Sequence, residues 1–136
     1  MTSRNDVPEV GSHQLDAVLR FLPTFEQPGY VFGEWHSAEG QFPYCSMHRE
    51  ATEFVQALYD QQVVFSFDWR SWQREAERFV SDPEALDTAN LLTLRKLLTT
   101  HVRKDRFVEG HLAGMLECGH VTAILRRLGK IREQME

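Results

Sequence analysis

The sequence predicts a mainly α (α+β) fold, a single-domain bundle of about five to six helices with a small β-hairpin near residues 30–45. Apolar residues recur every three or four positions through most of the chain, which is the spacing of amphipathic helices. Aromatic and turn-forming residues instead dominate residues 28–44. With 136 residues, 42% of them hydrophobic, the chain is long enough to bury one core without cross-links.

The first two elements are bounded by clear start and stop signals. Ser12 is a favourable N-cap and Pro23 ends a helix, so we expect a helix over residues 12–21. The aromatic segment that follows contains a Ser-Ala-Glu-Gly turn, which predicts the hairpin. Pro43 is expected at the exit of this hairpin or on an edge strand, because proline cannot donate to a strand ladder.

The rest of the chain predicts helices separated by short breaks. We expect these helices over residues 46–59, 71–80, 88–104, 106–117 and 120–133, with a short apolar extended segment over 61–67. We expect Asp68 or Ser71 to cap the helix over 71–80 and Asp87 to cap the helix over 88–104. Between these two helices, Asp82-Pro83-Glu84 is a signal for the start of helical structure. Gly119 is expected to be a left-handed helix terminator.

Domain organisation and compartment follow from the termini and the cysteines. Residues 1–11 predict a flexible N-terminal arm without the apolar core of a signal peptide, and residues 12–136 predict one globular domain. No apolar run approaches the length of a membrane span. Two cysteines, Cys45 and Cys118, allow at most one bridge and fit a reducing compartment. We therefore expect a cytoplasmic protein without membrane contact.

The charges are distributed unevenly along the chain. The net charge of −5 makes nucleic acid an unlikely partner. Residues 1–90 carry 6 basic and 15 acidic side chains, whereas residues 91–136 carry 9 basic and 5 acidic ones. We expect the two halves to pack on each other. We also expect the last helix to have a solvated basic face, formed by Arg126, Arg127, Lys130 and Arg132. The alternative is that this face binds an acidic protein or RNA.

The charged segment Arg103–Gly110 joins two leucine-rich runs. If the helix continues, Arg103 and Arg106 share a face, and two guanidinium groups on one face can bind a phosphate or carboxylate. Gly110 would let a ligand or another backbone come close. The competing interpretation is an ion network in which Arg106 pairs with Asp68, Asp105 or Glu109 and holds the hairpin against the helices.

Two further groups of residues have functional and structural interpretations. Trp69 and Trp72, beside Asp68, would stack a base or nicotinamide, or they would simply anchor the core while Asp68 caps a helix. A Cys₂His₂ set is available in Cys45, His48, Cys118 and His120, but its spacing is irregular, and we predict no metal and no cofactor. Glu109 and His111 would diverge on a helix, which disfavours an acid–base pair.

The motifs together resemble an uncharacterised bacterial family that is classified only as a domain of unknown function. The matching residues are Phe67-Asp68-Trp69-x-x-Trp72, Leu97-Leu98, Val102-Arg103-x-Asp105-Arg106-Phe107-x-x-Gly110, Gly119 and Ile124-Leu125-x-x-Leu128. The likeness extends from about Gly33 to the last helix. It implies no established activity. Related segments behind macrodomains suggest a link to ADP-ribose, but only as a partnership, because this chain lacks the glycine-rich loops of a macrodomain.

These observations predict a small domain that binds a protein partner or an anionic, nucleotide-like ligand, without a recognisable catalytic set. The candidate ligand-binding residues are Arg103, Arg106, Asp68, Trp69, Tyr44, Glu109 and Gly110. The alternative is an enzyme that acts on a nucleotide or ADP-ribose-like substrate, with Glu109 or Asp68 as general base. A structural or oligomer-forming module is the third possibility, since the sequence leaves the oligomeric state open.

Overall fold

A computed structural model describes residues 7–135. Within this range the chain forms seven α-helices and one two-stranded antiparallel hairpin, which confirms the mainly α fold class with a small β element. The helices are α1 (Ser12–Leu19), α2 (Leu22–Phe25), α3 (Arg49–Asp60), α4 (Gln73–Ser81), α5 (Leu91–Lys104), α6 (His111–Glu117) and α7 (His120–Glu133). The strands are β1 (Gly33–His36) and β2 (Tyr44–Met47), and 3₁₀ turns span Arg70–Trp72 and Pro83–Thr88.

The last helix is the centre of the bundle. Helix α7 contacts α1, α2, α5, α6 and the 3₁₀ turn before α5. Its apolar face is completely buried at Val121, Ile124, Leu125 and Leu128. Its bounds agree with the predicted helix over 120–133, and Gly119 precedes it with φ of 87°, in the predicted left-handed conformation. A strongly periodic apolar stripe therefore identified the central element correctly.

Several predicted helix starts lie at different residues in the structure. The first predicted helix breaks after Leu19, and Pro23 belongs to the first turn of α2, where no backbone N–H is required. Helix α3 begins at Arg49, because Ser46 is part of β2. Asn90 caps α5 in place of Asp87, with its side-chain oxygen 2.9 Å from the backbone nitrogen of Thr93. The sequence offers more than one possible capping residue near each of these helix starts, and tertiary packing determines which one caps the helix.

The hairpin has two differently exposed edges. Trp35 of β1 lies opposite Cys45 of β2, and the His48 N–H donates to the Phe32 carbonyl at 2.7 Å. Since bonded and non-bonded pairs alternate in an antiparallel ladder, Trp35 and Cys45 form a non-bonded pair. Their backbone N–H and C=O groups therefore point to the two outer edges. Pro43 directly precedes β2, an edge strand of the two-stranded sheet, and does not lie at the exit of the hairpin.

A buried arginine holds the extended segment 61–67 against α5. Arg95 is 4% exposed, and its guanidinium donates to the carbonyl oxygens of Gln62 and Val63 at 2.8 and 3.1 Å. One helical turn further on, the Thr99 hydroxyl accepts the Phe65 N–H at 3.2 Å. These bonds satisfy backbone groups that no helix or strand satisfies. They also fix the path of the chain toward Trp69.

The acidic and basic halves pack on each other, as predicted. Arg126 of α7 pairs with Glu26 at 2.7 Å, and Arg132 pairs with Asp16 of α1 at 2.8 Å. Arg127 donates to the carbonyl of Ala89 at 2.9 Å. No helix in the described range is both long and apolar enough to cross a membrane. Residues 1–6 of the predicted flexible arm lie outside the described residues.

Candidate functional site

The segment between α5 and α6 forms a tight turn and not a continuation of either helix. Helix α5 ends at Lys104, whose carbonyl accepts the N–H groups of Phe107 and Val108 at 2.9 Å. The Asp105 carboxylate accepts the Leu112 N–H at 2.9 Å and thereby caps α6. The predicted helix over 106–117 is therefore wrong in its first five residues, because this cap starts the helix at His111.

The hairpin contacts this turn directly at a glycine. Gly110 has φ of 77°, and a Cβ atom at this position would lie 2.2 Å from the Cζ2 atom of Trp35. A side chain at residue 110 is thus excluded both by the backbone conformation and by the indole ring. The sequence analysis predicted a close approach at Gly110, and the approaching group is Trp35 of β1.

A carboxylate at the same turn covers the outer edge of β2. Glu109 accepts the backbone N–H of Cys45 at 3.0 Å, which is the outward-pointing donor of that strand. Burial, together with Asp105 and Glu109, raises the pKa of the Cys45 thiol, so this cysteine stays protonated at neutral pH. Glu109 therefore has a structural contact that links the hairpin to the turn.

Exposed aromatic residues surround this junction. The ring of Trp69 lies 5.9 Å from that of Phe107, and the Arg70 guanidinium lies 4.9 Å from the Phe107 ring centre. We call the side chains of Trp35, Trp69, Phe107 and Val108 the aromatic surface; Tyr44 is not part of it, because it pairs with His36 on the face of the hairpin opposite Trp35. Phe107 is 65% exposed and Trp35 is 57% exposed, although both are large and apolar.

The predicted site residues are distributed around the aromatic surface. Tyr44 stacks on His36 with ring centres 4.9 Å apart, and the Asp68 carbonyl accepts the Ser71 hydroxyl. The Arg103 guanidinium lies 5.7 Å from the ring centre of Tyr59 of α3, while Arg106 is exposed. Neither arginine forms a salt bridge within residues 7–135. The helical argument for a shared face fails at Arg106 because α5 has already ended, and the anion site itself stays a prediction.

A second region, which we call the histidine core, joins His101, His111 and His120. His101 Nδ1 lies 3.0 Å from His111 Nε2, and His101 Nε2 lies 3.1 Å from His120 Nε2. Because a neutral imidazole has one donor and one acceptor, the two hydrogen bonds must run in the same direction along the chain of rings. The three tautomers are therefore coupled.

The surroundings of the histidine core favour neutral imidazoles. Burial lowers the pKa of His101 well below its usual range, and the other two histidines and Lys104 add to this effect. Burial, followed by the charge of His111, lowers the pKa of His120 to about 4. Burial and Lys104 lower the pKa of His111, and Asp105 partly opposes them. The core is therefore uncharged at neutral pH.

The sequence analysis did not identify the histidine core, although a signal was present. His101 follows Leu98 by three positions and Leu94 by seven, so it lies on the buried stripe of α5. His120 was considered only as part of a zinc set with Cys45, His48 and Cys118. In the part of the chain that the structure describes, no three His, Cys, Asp or Glu side chains are placed to hold a metal ion. The nitrogen atoms of the core point at each other and not at a common centre.

Comparison with known proteins gives a family but no activity. No curated protein and no solved structure matches this chain. A family model does match, and it covers residues 10–134, which include the hairpin, the aromatic surface and the histidine core. The chain therefore belongs to the family of unknown function DUF6508.

Proposed function

We propose that this domain is a cytoplasmic binding module that recognises a protein partner through the aromatic surface. The observation that supports this proposal is the clustering of exposed apolar side chains. The large hydrophobic residues that are exposed in the described range are Val31, Trp35, Phe42, Tyr44, Leu92, Phe107 and Val108. Five of these seven belong to the hairpin or to the turn after α5. Exposed apolar side chains concentrated in two adjoining elements are typical of protein interaction sites.

The residue types also favour a protein partner. Tyrosine, tryptophan, phenylalanine and arginine are enriched at interfaces, and they contribute most of the binding free energy there. Arg70 and Arg106 adjoin Phe107 in the chain or in space, and neither forms a salt bridge within residues 7–135. The complementary partner segment would therefore combine carboxylates with apolar side chains.

The free edge of β1 adds a way to bind an extended segment. The backbone N–H and C=O groups of Trp35 point outward, and no hydrogen bond to them is formed within the described residues. A peptide strand that pairs with β1 would satisfy these groups and extend the two-stranded sheet. By contrast, the Cys45 N–H on the other edge is already bonded to Glu109. We therefore propose an extended acidic segment that pairs with β1.

The predicted site residues have specific roles in this proposal. Trp69 contributes area, Gly110 lets the Trp35 ring approach the turn closely, and Glu109 keeps β2 from pairing. Of the two general bases considered for the alternative enzyme, Glu109 already accepts the Cys45 N–H at 3.0 Å, and the Asp68 side chain is exposed to solvent. Partner binding is therefore the better supported function.

Site-specific crosslinking in the cell tests this proposal. A benzophenone side chain at Phe107 should yield one discrete adduct with another protein after irradiation. The matched control is the same side chain at Leu92, which is exposed at the other end of α5, about 20 Å away along the helix. The adduct at Phe107 should disappear in the Trp35→Ala and Arg106→Glu variants.

Three results would contradict the proposal. Equal adducts at both positions would indicate unspecific contact, and no adduct at either position would indicate a solvated surface. An adduct of two copies of this chain would identify an oligomer-forming module. Thermal stabilisation by phosphate or a nucleotide that is lost in Arg103→Ala would instead favour the anionic ligand.

A further inference from the structure

The histidine core borders a cavity that is separate from the aromatic surface. Helices α4, α5 and α6 line this cavity, which is open to solvent on one side and has a volume of about 190 Å³. Ala76 and Val80 of α4 and Met115 of α6 form its apolar wall. A cavity of about 150 Å³ holds a benzene molecule, so this one accommodates a single six-membered ring or a chain of similar size.

One part of the cavity lining is polar, and only some of its polar atoms have partners within the described residues. His101, Lys104 and His111 line it, and the charge of Lys104 acts on both histidines, which shows that the three groups are close together. Lys104 forms no salt bridge within the described residues. The Thr100 hydroxyl at the same wall is already bonded to the Lys96 carbonyl. A ligand oxygen would therefore interact with Lys104 and a histidine.

The hydrogen bonds of the histidine core determine which nitrogen is available. Nε2 of His111 is bonded to His101, so Nδ1 is its remaining polar atom, and no hydrogen bond to Nδ1 is formed within residues 7–135. In one of the two coupled tautomeric arrangements, this Nδ1 carries a proton. An acceptor in the cavity would select that arrangement along all three rings.

The other charged groups limit the charge of the ligand. Glu77 of α4 also lines the cavity, and its carboxylate would repel a second negative charge. Asp105 is close enough to act on His111, but its carboxylate already accepts the Leu112 N–H. One cation and one nearby carboxylate favour a monoanion over a dianion or a phosphate ester.

We propose that this cavity binds a small organic monocarboxylate with an apolar body of about six carbon atoms, the size set by the cavity volume. Its carboxylate contacts the Lys104 ammonium and the Nδ1–H of His111, and its apolar body packs against Ala76, Val80 and Met115. This site is independent of the proposed partner surface, so either proposal can fail alone.

Titration of the full chain with benzoate and hexanoate tests the site, and benzyl alcohol serves as a neutral probe. We expect saturable binding of one or both carboxylates in calorimetry and about tenfold weaker binding of the alcohol, the effect of losing one charge-assisted contact. Lys104→Gln should weaken carboxylate binding by a similar factor. Lys96→Gln is the matched control, because Lys96 lies on the same helix over the rings of Phe67 and Trp72 and does not line the cavity.

Two measurements keep the proposal falsifiable if a variant fails to fold. In the wild-type protein, benzoate or hexanoate should shift the imidazole nitrogen resonances of His111 and His101 and leave those of His36 unchanged. Ala76→Phe, which fills the cavity, should abolish binding. Absence of saturable binding by both carboxylates, unchanged affinity in Ala76→Phe, or resonance shifts outside the cavity would each overturn the proposal.

Discussion

The histidine core and the aromatic surface are joined by the same short segment, residues 104–111, and they differ in almost every physical property. Lys104 and His111 at the ends of this segment face the cavity, whereas Phe107, Val108 and Glu109 between them face the hairpin or solvent. The core is polar and buried, so each of its groups depends on a hydrogen bond. The surface is apolar and exposed, so it contributes little to folding. This contrast is the basis of the two separate proposals, a small ligand beside the core and a protein partner at the surface.

Acid should affect the core most strongly. The folded state disfavours the protonated imidazole, so the unfolded chain binds more protons between pH 6.5, the usual value, and about 4, the pKa of His120. The free energy of unfolding is therefore complete above pH 6.5 and decreases as the pH falls through this window, by about 3 kcal/mol from His120 alone. Urea denaturation at several pH values measures this decrease.

The matched variants separate the two regions in the same experiment. His101→Leu removes the central imidazole, so it should lower stability at neutral pH but reduce the slope of stability against pH. Phe107→Ala, on the aromatic surface, should keep the wild-type slope because it removes no titratable group. A wild-type free energy of unfolding that stays constant from pH 7 to pH 4 would show that the histidines are not held neutral by the fold.

Substitution of the contact glycine should have the next largest effect. In Gly110→Ala the new Cβ would lie 2.2 Å from Trp35, and the left-handed backbone adds strain. The control is Gly119→Ala, which has a similar φ of 87° but nothing within 4 Å. We expect a loss of about 1–2 kcal/mol in the control, from strain alone. Gly110→Ala should lose about 1 kcal/mol more and change the tryptophan fluorescence as Trp35 moves. Equal losses would mean that the hairpin does not rest on Gly110.

The edge contact of β2 should have a smaller effect. Glu109→Gln replaces a charge-assisted hydrogen bond to the Cys45 N–H with a neutral one, and we expect a loss of about 0.5–1 kcal/mol. Amide hydrogen exchange at Cys45 should become faster while exchange in α7 stays unchanged. Glu53→Gln, which removes an exposed pair with Arg49, serves as a control and should leave the Cys45 amide unaffected.

Truncation on the aromatic surface should have the smallest effect on stability. Phe107→Ala should change the free energy of unfolding by no more than about 0.5 kcal/mol, because this ring is mostly in water. Phe54→Ala, the same substitution at a fully buried ring, should cost about 3–5 kcal/mol. Thermal denaturation compares the two. A large loss in Phe107→Ala would assign the aromatic surface to the fold and weaken the case for a partner.

The spacing of apolar residues and the positions of helix-breaking residues allowed most of the secondary structure to be predicted, and the errors have local causes. The stripe of Ile124, Leu125 and Leu128 identified α7, because one apolar face every 3.6 residues has few other solutions. The start of α6 was missed because Arg106 to Glu109 are compatible with a helix. The first turn of α6 is placed at His111 by the hydrogen bond that the Leu112 N–H donates to the Asp105 carboxylate.

The site was predictable in part. Gly110 was identified as a point of close approach, because glycine between bulky residues indicates a backbone that tolerates no side chain. The identity of the group that approaches it, Trp35, depends on how the hairpin docks and has no local signal. The position of His101 on the apolar stripe of α5 predicts a buried side chain. Its two imidazole neighbours could not be predicted in this way, because they come from α6 and α7.

By itself the sequence determined the fold class, the central helix and the pairing of an acidic with a basic half. Only the tertiary structure decided that Arg103 lies on Tyr59, that Glu109 bonds the edge of β2 and that three histidines form one hydrogen-bonded chain. The physical reason is the distance along the chain over which the interactions act. Helices and turns arise from interactions within a few residues, whereas hydrogen bonds between side chains of different elements depend on packing that no local pattern encodes.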